Sequence, residues 1–173
     1  MPVTLYMNLV PPAPRVRTAL TRLGGHISDF RELFLMQQAE VIRVVRKQFE
    51  SEGAYLGSPW ASLHPRYAAW KEQHAPGRPI GVLSGEMRDL AEDGALFNFD
   101  VDRTRMDVTF RDDLGEVSEY APIFHEGDWS EHHVQPSRPI LGWGRNEEVA
   151  FRAKVRAWVR LQARQAGLPV RGV

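Results

Sequence analysis

Two runs of strict alternation separated only by residues 102–105 constrain this chain more than any other feature. Ala95, Phe97, Phe99 and Val101 share one side of the first run, and Met106, Val108 and Phe110 share one side of the second. Successive side chains of a strand point to opposite faces, so both runs predict strands with one buried face. The short polar connection makes them an antiparallel hairpin. A lone hairpin is marginal in water and has to bury its apolar face against something else.

The rest of the chain offers helices for that purpose. From Ser28, a candidate N-cap with Asp29 and Glu32 in the first turn, Phe30, Leu33, Phe34, Val41, Ile42, Val45 and Phe49 recur at helical spacing until Gly53. A shorter helix with Val16, Ala19, Leu20 and Leu23 precedes it, starting near Pro14 and stopping at Gly24 and Gly25. His64 to His74 reads as a helix with Pro65 in its tolerated first turn, and Tyr67 and Trp70 share a face. Ser84 is placed to cap a short helix holding Met87 and Leu90 that ends before Gly94. A last helix, about 146–166, carries Val149, Ala153, Val155, Trp158, Val159 and Leu161 and is closed by Gly167 and Pro169.

Residues 3–10 alternate around Val3, Leu5, Met7 and Leu9 and predict a strand, residues 54–63 a loop, and residues 119–127 a strand end or helical turn. Pro136 and Pro139 bracket an extended piece. Repeats, low-complexity tracts and linkers are missing, so residues 1–173 are expected to form one domain. The predicted architecture is α+β: a small, mostly antiparallel sheet packed against the long helix of the N-terminal half and the C-terminal helix.

Composition narrows the function. A chain of 173 residues, 43% of them hydrophobic, can bury a genuine core. Its apolar runs are far shorter than the roughly 20 residues that cross a bilayer, and the N-terminus has no basic leader or small-residue cleavage pattern, so neither a membrane span nor a secretory signal is expected. With no cysteine, disulfides, thiolate catalysis and cysteine-ligated zinc are excluded. Basic and acidic residues balance at 22 each, which gives no electrostatic reason for tight, specific nucleic-acid binding. The charge is uneven along the chain: Glu86, Asp89, Glu92, Asp93, Asp112, Asp113 and Glu116 make the middle acidic, whereas Arg152, Lys154, Arg156, Arg160 and Arg164 make the last helix basic. Such an asymmetry suits either a solvated helix face or a surface that meets a complementary protein.

Catalytic arrangements fail on spacing. His125, Asp128, His132 and His133 lie close in sequence, but adjacent histidines on an extended chain face opposite ways, and no HExxH-type pair exists, so no metal or other cofactor is expected. Ser84 in Leu83–Ser84–Gly85 lacks the first glycine of a nucleophile elbow. Asp112 and Asp113 sit where solvated charge is the default for paired carboxylates, and the glycines around Trp143 lack the Lys and Ser or Thr of a phosphate loop. The chain is therefore not expected to be an enzyme; a small hydrolase using a histidine is the alternative from another class. Tryptophans are the more informative residues. Trp60, Trp129 and Trp143 occur in Gly/Pro-rich segments, where aromatic side chains suit either an internal loop anchor or a pocket on a neighbouring chain. With Arg138, Arg152, Arg156 and Arg160 they form the candidate protein–protein interface.

Two stretches, 49–85 and 120–143, hold Phe49, Gly53, Trp60, Leu63, Tyr67, Lys71, Leu83, Ser84 and Gly85, then Tyr120, Ala121, His125, Gly127, Arg138, Pro139 and Gly142, in that order. The ordered set resembles the virion morphogenesis (tail completion) family of tailed bacteriophages, with Met87 where Leu is common and a longer loop after Gly127. The resemblance implies a structural virion protein that completes or terminates the tail and takes part in head–tail joining at the neck. It implies a closed ring of identical copies, often sixfold, that meets the tail tube protein and neck or head-completion proteins, with DNA passing through its lumen. A head-completion adaptor at the portal is the alternative within that class. Location follows: the virion, and host cytoplasm during assembly. The acidic middle and the basic last helix are then a candidate pair of ring-closing patches.

Overall fold

A computed structural model describes residues 13–130 and 133–169, so the strand expected at residues 3–10 lies outside the described residues, as does His132. The element order is α1 (Ala13–His26), α2 (Arg31–Glu50), a 3-10 turn (Ala54–Leu56), α3 (Pro65–His74), α4 (Glu86–Asp93), β1 (Phe97–Val101), β2 (Met106–Phe110), α5 (Glu116–Glu126), β3 (Asp128–Ser130), β4 (His133–Gln135) and α6 (Arg145–Gln165). This is a small α+β domain. The strands form two separate antiparallel hairpins, β1–β2 and β3–β4, instead of one sheet.

The first hairpin is the expected one. Phe97 stands opposite Phe110, Phe99 opposite Val108 and Val101 opposite Met106, so the alternating side chains of the two strands line one face. Asp102 accepts from the backbone N–H groups of Thr104 (2.6 Å) and Arg105 (2.7 Å) and thereby shapes the turn.

The hairpin's apolar face closes onto α2, α4 and α5. Val45 and Phe49 from α2, Met87 and Ala91 from α4, and Val117, Ala121 and Phe124 from α5 make one buried cluster with Trp60, Val82, Leu96, Phe97 and Ile140. Trp60 sits at its centre, edge-on to Phe49 (centroids 5.4 Å, 86°) and to Phe124 (5.2 Å, 87°).

A second layer is formed around α6, which packs on α1 and on α2. Phe30 stacks obliquely on Trp158 at 5.1 Å, and His26 Nδ1 lies 3.0 Å from Gln162 Oε1. The first turn of α6 is pinned by the Glu147 carboxylate, which accepts from the Tyr55 hydroxyl at 2.5 Å and from Arg43 at 3.4 Å. Burial pushes the Glu147 carboxyl up, but the Tyr55 and Arg43 donors outweigh it and hold it below the usual carboxylate range.

Local departures from the sequence reading have identifiable causes. α1 continues through Gly24 and Gly25 to His26, because a glycine weakens a helix without forcing it to stop. α2 begins at Arg31, and Asp29, not Ser28, accepts the Arg31 N–H; the Ser28 hydroxyl donates to the Gly25 carbonyl. Residues 116–126 form a full helix with Pro122 inside it, where a strand end or single turn was expected.

Candidate functional site

The two stretches that carry the resemblance meet across the core. Pro139 is the hub: its carbonyl accepts from Trp60 Nε1 at 3.0 Å and from Gln48 Nε2 at 2.9 Å, while Gln48 Oε1 accepts from the Leu56 N–H at 3.1 Å. One buried amide thus ties the end of α2, the turn after it and the segment before α6. Gly53 lets the chain pass beneath the indole. It has φ +91°, and a Cβ there would lie 2.4 Å from Trp60 Cδ1.

Neighbouring polar residues are spent in the same way, on their own backbone. The Lys71 ammonium donates to the carbonyls of Arg78 (2.8 Å) and Pro79 (2.5 Å), and burial pushes its pKa down. The Arg138 guanidinium donates to the carbonyls of Ala61 (2.9 Å) and Ser62 (3.2 Å) and lies over the Phe124 ring at 5.7 Å; burial pushes its pKa down too. His125 Nδ1 accepts from the backbone N–H of Ile140 (2.9 Å) and Leu141 (3.3 Å), which puts its proton on Nε2, and burial lowers its pKa. The Ser84 hydroxyl accepts from the Glu86 N–H at 3.3 Å as α4 begins.

Two members of the expected interface therefore belong to the interior. Trp60 is 5% exposed and Arg138 4% exposed, and both complete hydrogen bonds within their own domain, so neither is available to a partner. The internal-anchor reading of the loop tryptophan applies to Trp60. Trp143 remains at the surface, edge-on to Phe151, and Arg152, Arg156 and Arg160 are exposed along α6. Trp129 falls on β3, paired with Val134. Among the described residues, no group of three His, Asp or Glu side chains is placed to hold a metal ion.

Above this framework lies a groove of about 890 Å³ between α3, the segment leading into α4, and α5. Its apolar walls are open to solvent: Tyr67 is 43% exposed, Leu83 42%, Ile123 41% and Tyr120 39%. Lys71 and Arg138 line it, but their charge is directed into backbone carbonyls, whereas Glu86 and Glu116 stand exposed at its rim with no ion pair among the described residues. Burial, with those two carboxylates, raises the pKa of the Tyr120 hydroxyl. Tyr67 continues outward into a stack with Trp70 (5.5 Å) and His74 (4.3 Å from Trp70). The arrangement offers a hydrophobic seat with an acidic edge, and suits recognition of a protein surface.

Tyr67 and Trp70 share a face of α3, as their spacing predicts, and that face is exposed. A signal for the groove was present in α5: Val117, Tyr120, Ala121, Ile123 and Phe124 are more apolar residues than one buried stripe needs. Val117, Ala121 and Phe124 fill the core, and the surplus, Tyr120 and Ile123, faces out. Set against family models, curated proteins and solved structures, the chain matches none of them.

Proposed function

We propose that the protein completes the tail of a tailed bacteriophage and joins it to the head, as a ring of identical copies that works through protein surfaces and not through chemistry. The observation that carries this reading is the groove. Its walls come from both stretches on which the resemblance rests, through Tyr67 and Leu83 on one side and Tyr120 on the other. Those stretches supply a rigid internal brace as well as the exposed apolar seat, the combination a protein needs when its job is to hold other proteins in register. The histidine and serine that an enzyme would use are engaged with backbone groups, His125 with residues 140 and 141 and Ser84 with residue 86. Near-zero net charge suits a conduit through which DNA slides, since a strongly cationic lumen would retain phosphates.

Particle morphology tests the assignment. Removal of the protein from an infected cell should leave full heads separate from unstable or overlong tails, and a chain carrying Ile123→Asp should fold yet fail to restore joined particles. Heads that leak DNA would instead place the protein on the portal side. Intact infectious particles without the protein would end the structural reading.

A further inference from the structure

We infer that the groove between α3 and α5 is the seat for α6 of a second copy of this chain, so that copies interlock head to tail. This deepens the proposed ring function and rests on it for its biological setting, although the pairing itself is a property of the purified chain.

The occupant is identified by the outer face of α6. Val149, Ala153, Ala157 and Leu161 recur four apart and are all exposed, and beside them runs a second exposed row, Arg152, Arg156, Arg160 and Arg164. Rows four apart are the ridges by which helices pack, and small residues at the middle of a ridge let the backbone approach closely. Among the described residues that ridge is left uncovered: α6 packs on α1 and α2 through its other side, where Trp158 meets Phe30 and Gln162 meets His26.

Charge and length match the groove. Arg156, Arg160 and Arg164 have no acidic partner among the described residues, and Arg152 pairs only with Glu148 of its own helix. The groove's unpaired charges, Glu86 and Glu116, are of the opposite sign. The apolar row from Val149 to Leu161 spans about 18 Å, and the walls α3 and α5, with 10 and 11 residues, are about 15–17 Å long. No α6 residue lines the groove of its own copy, so seat and ridge are two different patches. Different patches give a heterologous contact, which propagates from copy to copy and closes into a ring when the rotation allows.

The absence of native cysteine makes the test direct. Ser84→Cys marks the groove and Ala157→Cys marks the ridge, both at exposed positions. With a short bis-maleimide, a mixture of the two single variants should give a cross-linked heterodimer, whereas each alone should give none. Adding Arg156→Glu and Arg160→Glu to the ridge variant, or Glu86→Arg and Glu116→Arg to the groove variant, should lower the yield about fivefold, and combining the two reversed chains should restore it. Thermal unfolding of each reversed chain shows that loss of yield is not loss of fold. Cross-linking of either variant to itself at comparable yield, or no mixed product at the highest soluble concentration, overturns the inference. Tail joining retained in a chain that does not pair would remove the interlock and leave the tail role standing; pairing in a protein absent from particles would do the reverse.

Discussion

Trp60 and Gln48 share one acceptor, the carbonyl of Pro139, and through it the two halves of the domain are joined. Trp60→Phe leaves Gln48 on that carbonyl and removes one donor and part of a buried ring, with an expected cost of about 2 kcal/mol. Gln48→Leu removes a donor from Pro139 and the acceptor from Leu56 together, and should cost at least as much, about 2–3 kcal/mol. Urea unfolding with unchanged slope checks both.

Two glycines should respond to alanine with opposite sign. Gly53→Ala forces a side chain into the left-handed region and against the Trp60 ring, an expected loss of about 2 kcal/mol or more. Gly24 lies within α1 with none of the described residues within 4 Å of the added methyl, so Gly24→Ala should stabilise the protein by up to about 1 kcal/mol. Melting temperatures of the two variants measured side by side decide the point.

His125 makes stability depend on pH in a defined direction. Burial places its folded-state pKa below the ordinary 6.5, so the unfolded chain binds the proton more readily. Its contribution is fully present above pH 6.5 and declines as pH falls from there through the lowered folded-state value. Protonation also turns the Nδ1 acceptor into a donor facing two N–H groups. His125→Asn keeps an acceptor at that position without a titration, and should flatten the acid-side slope of urea midpoints.

Gln37 is 4% exposed, and among the described residues neither its amide oxygen nor its nitrogen has a hydrogen-bond partner. An apolar residue of similar size removes that desolvation cost. Gln37→Leu should raise stability by about 1 kcal/mol, read as a higher urea midpoint.

The hairpin and helices were legible because periodicity reports burial on one face: Phe97, Phe99, Val108 and Phe110 lie on the predicted side, and α3, α4 and α6 begin and end within a residue or two of their Pro, Gly and acidic signals. α5 was obscured by Pro122, which lacks an N–H and reads as a breaker, although the helix tolerates it in place. Trp60 and Arg138 were misplaced for a related reason. Gly/Pro-rich surroundings suggest surface loops, yet Gly53 and the Pro139 carbonyl create a compact internal berth that only the three-dimensional pairing of distant segments reveals. The groove was the least visible feature, since exposure of Tyr120 and Ile123 depends on which apolar residues of α5 the core leaves out.

The acceptor shared by Trp60 and Gln48 lies 79 and 91 positions downstream of them. A ribosome must therefore deliver most of the polypeptide before the central indole finds its partner, which makes this clasp a late event of folding during synthesis. A chain that stops short of Pro139 is therefore expected to leave the central indole without its acceptor.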